Sequence, residues 1–327
     1  MTLDRFFALL TRLYGSDSWP KPLHKFQGLQ RVRRGEDIVE AARAVGTTRA
    51  GLEDVITSTN PVAAVLGSDF DAIDETHRKK AKQALGQMLL GKCAEEAFEQ
   101  IYRSGTQWQE FSLRDDRQGR TDTDYFICNG QGRQVYRINI KFHGALFRRA
   151  LETVGLDPED CFALATYKIN SALAKQEAES LPYFFAIVGV RNLTAEAVGE
   201  SLPQEVLEAA ALMHQAPKHP SVRAFEDAVV DYLVATKHAT YADTLQKIQQ
   251  ADWYILSARR ADMLLHRLLF KRVFALTVRN FTRVFPGAEV DMHFSLSQDL
   301  IPLQRFLKTL RDEGPHSVTT RLERGEF

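Results

Sequence analysis

The sequence predicts an α/β fold: a mixed central sheet flanked by helices, preceded by a helical region and followed by an α+β region. Three stretches carry that prediction. Residues 121–144 read as two strands joined by Asn129-Gly130-Gln131-Gly132, a composition that favours a tight hairpin. Residues 75–103 place Leu85, Leu89, Cys93, Ala97 and Ile101 at i, i+4 spacing, widened by Leu90, Ala94 and Phe98, so a long helix has one apolar face. Residues 183–190 form an unbroken apolar run, the pattern of a strand covered on both faces.

The chain is expected to divide into residues 1–80, 81–200 and 201–327. In the first part, residues 36–56 resemble a helix-turn-helix. Ala42 is a small residue where two helices cross, Gly46 sits at the sharp turn, and Leu52 and Val55 point inward. That reading puts Thr47, Thr48 and Arg49 at the start of the second helix, where base edges are met, and Arg33 and Arg34 upstream at the phosphates. A short helical hairpin with glycine in its corner gives the same pattern. In the long helix, Gly91 is unfavourable by roughly 1 kcal/mol, so close packing is expected there.

A strand at Phe111–Leu113 and a polar turn at Arg114–Arg120 lead to the hairpin. Its second strand alternates. Tyr136, Ile138, Ile140 and Phe142 share one face, and Arg137, Asn139, Lys141 and His143 share the other. Asp157-Pro158-Glu159 is a helix start signal, so a helix is expected from about 157 to 180, with Phe162 and Leu164 on its apolar face. Beyond 200, helices are expected near 205–213, 223–236, 260–270 and 300–311. Strands are expected at 253–256, 273–278 and 290–296, and the tail from Gly314 is expected to be polar and loose. Arg259, Arg260, Arg267, Lys271, Arg272, Arg279 and Arg283, interleaved with aromatics, suit a phosphate backbone.

Composition narrows the function classes. Of 327 residues, 44% are hydrophobic and 26% charged, which excludes fibrous and disordered chains. With 42 basic and 42 acidic residues, nucleic-acid affinity must come from local patches rather than overall charge. Cys93, Cys128 and Cys161 form neither a metal-ligand spacing nor a disulfide framework, which suits a reducing cytoplasm. The apolar run Phe6–Leu10 is too short for a signal peptide, and no stretch is long enough to span a membrane.

Gly91-x-x-x-Glu95 on the long helix, Asp124 on the second strand and Asn139-Ile140-Lys141 on the third stand in the order helix, three strands, helix, strand. This αβββαβ order with these residues resembles the PD-(D/E)XK nuclease superfamily, over roughly residues 81–191. The resemblance implies a restriction-endonuclease-like core and a Mg²⁺-dependent endonuclease cutting double-stranded DNA, with Mn²⁺ able to substitute. It also implies a setting in restriction or other defence against foreign DNA, as a homodimer or a subunit of a larger defence complex. Asp124, Asn139 and Glu95 would be metal ligands, and Lys141 would stand beside the scissile phosphate. Glu96 rivals Glu95, since it lies nearer the apolar stripe, and Asp122 lies on the same face as Asp124. His143 and, on the following helix, Tyr167, Lys168 and Gln176 are auxiliary candidates. Asn139 stands where the family carries an acid. That departure leaves an alternative open: an inactive nuclease-fold DNA-binding regulator or assembly subunit.

Overall fold

The computed structural model describes residues 3–15, 19–57, 75–105, 110–117, 123–144, 146–214, 220–268 and 291–326. Asp122 and the expected strand 273–278, with Lys271, Arg272, Arg279 and Arg283, lie outside them. The elements begin with α1 (Leu3–Tyr14), α2 (His24–Arg33), α3 (Ile38–Ala44), α4 (Arg49–Thr57) and α5 (Glu75–Gly105). There follow β1 (Phe111–Asp115), β2 (Tyr125–Asn129), β3 (Gln134–His143), α6 (Ala150–Val154), β4 (Cys161–Ala165), α7 (Thr166–Glu179) and β5 (Tyr183–Gly189). Next are α8 (Ala195–Glu200), α9 (Gln204–Met213), α10 (Pro220–Ala235), α11 (Ala239–Gln249), β6 (Trp253–Ser257) and α12 (Ala258–Leu268). The chain ends with β7 (Asp291–Ser295), α13 (Leu296–Asp299), β8 (Ile301–Pro302) and α14 (Leu303–Arg324). Two compact units result, residues 1–92 with 193–244 and residues 93–192 with 245–327, so the expected 201–327 region is divided between them.

The first unit is helical among its described residues. Asp37 opens α3 by accepting the Val39 and Glu40 amides, and Gly46 makes the turn to α4 at φ +66°. Ala42 and Leu52 are buried at that corner as expected, with Ala41 beside them; the Val55 side chain lies outside those described. A Cβ on Gly28 would lie 2.9 Å from Leu52 Cδ1, so the helix before the hairpin packs tightly onto α4. Gly91, by contrast, has open space where a Cβ would go, which corrects the expectation of close packing there. The close approach is five residues earlier. A Cβ on Gly86 would lie 1.9 Å from the Ala195 carbonyl oxygen, and one on Gly199 would lie 2.3 Å from that of Lys82. Two glycines thus let the backbones of α5 and α8 touch.

The second unit holds a mixed six-stranded sheet in the order β1-β2-β3-β5-β6-β8, flanked by helices. β1, β2 and β3 pair antiparallel, β3 and β5 parallel, and β5, β6 and β8 antiparallel. The β2–β3 hairpin forms where its sequence demands. Gly132 takes φ +74°, and Asn129 Oδ1 accepts the Gln131 and Arg133 amides at 3.1 and 2.9 Å. One sheet face carries Tyr125, Tyr136, Phe184 and Trp253. They pack on Phe98 of α5 and Phe306 of α14, and each fully buried ring contributes roughly 2–3 kcal/mol.

The other face carries the polar side of β3, with Arg137, Asn139, Lys141 and His143. It is covered, leaving Arg137 4% and Asn139 7% exposed. The cover comes from α7, α12 and a two-stranded β4–β7 ribbon, whose Phe162, Ile169, Ala261, Met292 and Phe294 join Phe185, Ile187 and Leu256 in one core. β4 corrects the helix expected over 157–180. Asp157 does make a turn, accepting the Glu159 amide at 2.8 Å, but a strand follows and the helix starts only at Thr166. The tail after Gly314 is also ordered: α14 breaks at Gly314 (φ 79°) and resumes through Pro315 with Val318 and Leu322 buried. The Tyr136 hydroxyl donates to the Pro315 carbonyl at 2.6 Å.

Candidate active site at the end of the third strand

Asp124 precedes β2, where the ladder to β3 begins. Its amide donates to the Ile138 carbonyl at 3.0 Å. Its carboxylate then takes the next rung, Oδ2 accepting the Ile140 amide at 2.5 Å. The side chain replaces a backbone acceptor and is thereby fixed to the Asn139–Lys141 segment. Oδ1 takes no hydrogen bond from a described residue. Desolvation raises the Asp124 pKa above the ordinary carboxylate value; the Ile140 amide, the Lys141 ammonium and the Arg117 guanidinium oppose that shift, and Asp115 adds to it.

Lys141 pairs in register with Ile187, and Asn139 with Phe185, both from the covered face of β3. Glu95 and Glu96 separate clearly. The Glu95 backbone carbonyl accepts the Tyr125 hydroxyl at 3.0 Å, and its carboxylate lies 3.5 Å from Arg117 Nη1. Glu96, half-buried like Glu95, accepts from exposed Gln100 at 3.0 Å. Lys141 and Arg117 thus both act on the Asp124 carboxylate, and Arg117 also pairs with Glu95.

Arg117 is the residue the sequence did not single out. It lies 2.5 Å from Asp115, 3.5 Å from Glu95 and 3.5 Å from Glu99, with its guanidinium 5.1 Å from the centre of the Tyr125 ring. Its pKa is driven further up, first by the hydrogen bond to Asp115. In sequence it stands in a polar turn that reads as solvated; only its position two residues past Asp115, within reach of the same side chain, hints at more.

The auxiliary candidates divide as well. His143 meets Phe162 edge-on at 5.8 Å, and among the described residues its buried Nε2 has no hydrogen-bond partner. Burial first, and then His293, lowers its pKa, so the ring is neutral at neutral pH and brings no charge to a phosphate. Lys168 and Tyr167 are exposed on α7, the ammonium 5.7 Å from the Tyr167 ring. Gln176 caps the adjoining strand instead, its Oε1 accepting the Tyr183 amide at 3.0 Å.

In the first unit, Thr48 and Arg49 are exposed at the start of α4 and Thr47 is half-buried. Thr48 Oγ1 accepts the Gly51 amide at 3.0 Å, and Arg49 pairs with Glu53 at 2.7 Å. Arg33 lies 3.8 Å from Asp4, and Arg34 is exposed. Residues 31–54 hold five arginines and five acids, so this corner has no net basic charge. Of the C-terminal arginines, Arg259 pairs with Glu323 at 3.3 Å.

Among the described residues no group of three or more His, Cys, Asp or Glu is placed to hold a metal ion, and no helix is long and apolar enough to cross a membrane. No protein-family model, curated protein or solved structure matches the chain. The donor chemistry at Asp124 nonetheless suits a hard cation. The Asp124 carboxylate is desolvated, and among the described residues its Oδ1 takes no hydrogen bond; it offers oxygen, the ligand Mg²⁺ prefers.

Proposed function

We propose that this end of the sheet hydrolyses phosphodiester bonds in double-stranded DNA, in the manner of the PD-(D/E)XK nucleases that the sequence resembles. The observation that carries the reading is Asp124, pinned through Ile140 to the Asn139–Lys141 segment with one carboxylate oxygen uncommitted. The element order supports it too: α5, β1, β2, β3, α7 and β5 follow the expected αβββαβ sequence, with β3 and β5 parallel and the β4 ribbon strand inserted.

Asp124 and the Asn139 amide oxygen would hold Mg²⁺ or Mn²⁺, with Glu95 contributing from α5. The bound ion supplies a water acidic enough to attack near neutral pH and a sink for the phosphate's growing charge. Lys141 adds a fixed positive charge, which stabilises the pentavalent phosphate and orients the attacking water. The β4–β7 ribbon covers the face of β3 that carries Asn139 and Lys141, and by excluding water there it strengthens these charges. Exposed Thr48 and Arg49 at the start of α4 support DNA contact by the first unit. Restriction of foreign DNA is the setting that the resemblance implies, and a two-fold dimer would match a palindromic site.

Supercoiled plasmid incubated with Mg²⁺ or Mn²⁺ should be nicked or linearised. Asp124→Ala and Lys141→Ala should each slow cleavage by at least about a hundredfold. Cleavage unchanged by both substitutions would sink the assignment. Plasmid left intact by folded wild-type protein would favour the second reading, a DNA-binding regulator or assembly subunit. That reading is motivated by the uncharged Asn139 and by Arg117 against Glu95.

A further inference from the structure

Arg117 lies where a metal ion would need the acids to be open. Its guanidinium is 3.5 Å from Glu95 and 2.5 Å from Asp115, and only 23% of its side chain is exposed. Its placement is built from three directions: the carboxylate of Asp115 at the end of β1, the acids Glu95 and Glu99 along α5, and the face of Tyr125 on β2. Tyr125 is itself tied to α5 by its hydroxyl, which donates to the Glu95 carbonyl at 3.0 Å, so ring and helix hold the guanidinium together. The planar fork of arginine matches carboxylates, and partial burial leaves the pairs less screened than surface ones.

Resting on the nuclease reading of Asp124 and Glu95, we infer that Arg117 is a built-in counter-cation that competes with the divalent ion for Glu95 and so sets the metal affinity of the site. Two positive groups on one carboxylate repel each other, so an ion held by Glu95 binds less tightly while Arg117 stays paired with it. Arg117 is thus a positioning residue, acting on the ion through Glu95 and through its field at Asp124.

The test is Mn²⁺ affinity of the full chain without DNA, from the electron paramagnetic resonance signal of free Mn²⁺. Arg117→Gln should tighten binding about tenfold. Arg117→Lys keeps a point charge but loses the fork, and should tighten it about threefold. Combining Glu95→Gln with Arg117→Gln should remove the gain. Affinity unchanged or weakened in Arg117→Gln overturns the competition, and if that protein fails to fold, an unchanged Arg117→Lys does the same. Asp124→Asn separates the two ideas. Binding that needs Asp124 but ignores Arg117 defeats only the competition, whereas Mn²⁺ binding indifferent to Asp124 in every background defeats the nuclease reading as well.

Discussion

The α3–α4 corner and the Asp124 corner both place arginines and acids beside a turn, yet they use charge in opposite ways. In the first, Arg43 pairs with Glu40 at 2.6 Å and Arg49 with Glu53 at 2.7 Å, one helical turn apart and solvent-exposed. In the second, Arg137 is 4% exposed and reaches Thr123 Oγ1 at 2.7 Å and Glu179, which is 42 residues away. The same residue type is decoration in one corner and framework in the other. What separates them is whether water remains to take the charge when its partner is gone.

The largest effect should therefore come from Arg137. Arg137→Ala removes the bond to Thr123, the pair with Glu179 and the guanidinium stacked 4.8 Å from the Phe126 ring. Glu179 is 47% exposed and can rehydrate, so the full cost of a broken buried pair does not apply. A loss of about 2–3 kcal/mol is expected, measured by urea unfolding. A loss below about 0.5 kcal/mol would erase the distinction between the corners.

This contrast also marks what the sequence could disclose. The α3–α4 corner was legible because its determinants are local: Gly46 for the positive φ, Leu52 and Ala42 for the inward face. The hairpin was legible for the same reason, and the run at Tyr183–Gly189 because no other element tolerates such a pattern. β4 was hidden. Cys161-Phe-Ala-Leu-Ala165 suits helix or strand equally and runs into α7 without a Gly or Pro between them, and its partner β7 lies far along the chain. Asp160, which anchors that ribbon by accepting the Ser297 amide at 2.7 Å, follows directly on the Asp157-Pro158-Glu159 segment that reads as a helix start. Arg117 and Arg137 were missed because a solvated charge and a buried, paired one look alike in sequence. Asp124, Lys141 and Glu95 were singled out through a spacing tied to chemistry, and the tertiary pairing that surrounds them was not legible.

The second test acts on the buried corner with the opposite sign. Burial raises the Asp124 pKa, so the folded state holds that proton more tightly than the unfolded chain does. As the pH rises from the ordinary carboxylate value through the raised one, the unfolded state ionises first, and stability falls. Above that window the penalty is complete and constant. Asp124→Asn keeps an acceptor for the Ile140 amide and has no charge to desolvate. Without metal it should be more stable than wild type by about 1 kcal/mol at neutral pH, an advantage that shrinks as the pH falls through the raised value towards about 4 and is nearly gone below that. Thermal unfolding of both proteins from pH 3.5 to 8 measures the difference. An advantage that is absent, or that grows in acid, would mean that Lys141 and Arg117 already offset the burial.

The smallest effect belongs to the exposed corner, and its smallness is informative. Arg49→Ala breaks a one-turn pair with Glu53 whose partners are 63% and 42% exposed. Such pairs contribute about 0.3–0.5 kcal/mol, so stability should fall by no more than that. If the start of α4 also meets DNA, the substitution should weaken binding and lower the slope of log affinity against log salt by about one, because one phosphate contact is gone. The two readouts separate the roles of the side chain. A slope change with intact stability assigns Arg49 to the nucleic acid, whereas an unchanged slope confines it to its pair with Glu53, leaving all DNA contact to other parts of the chain.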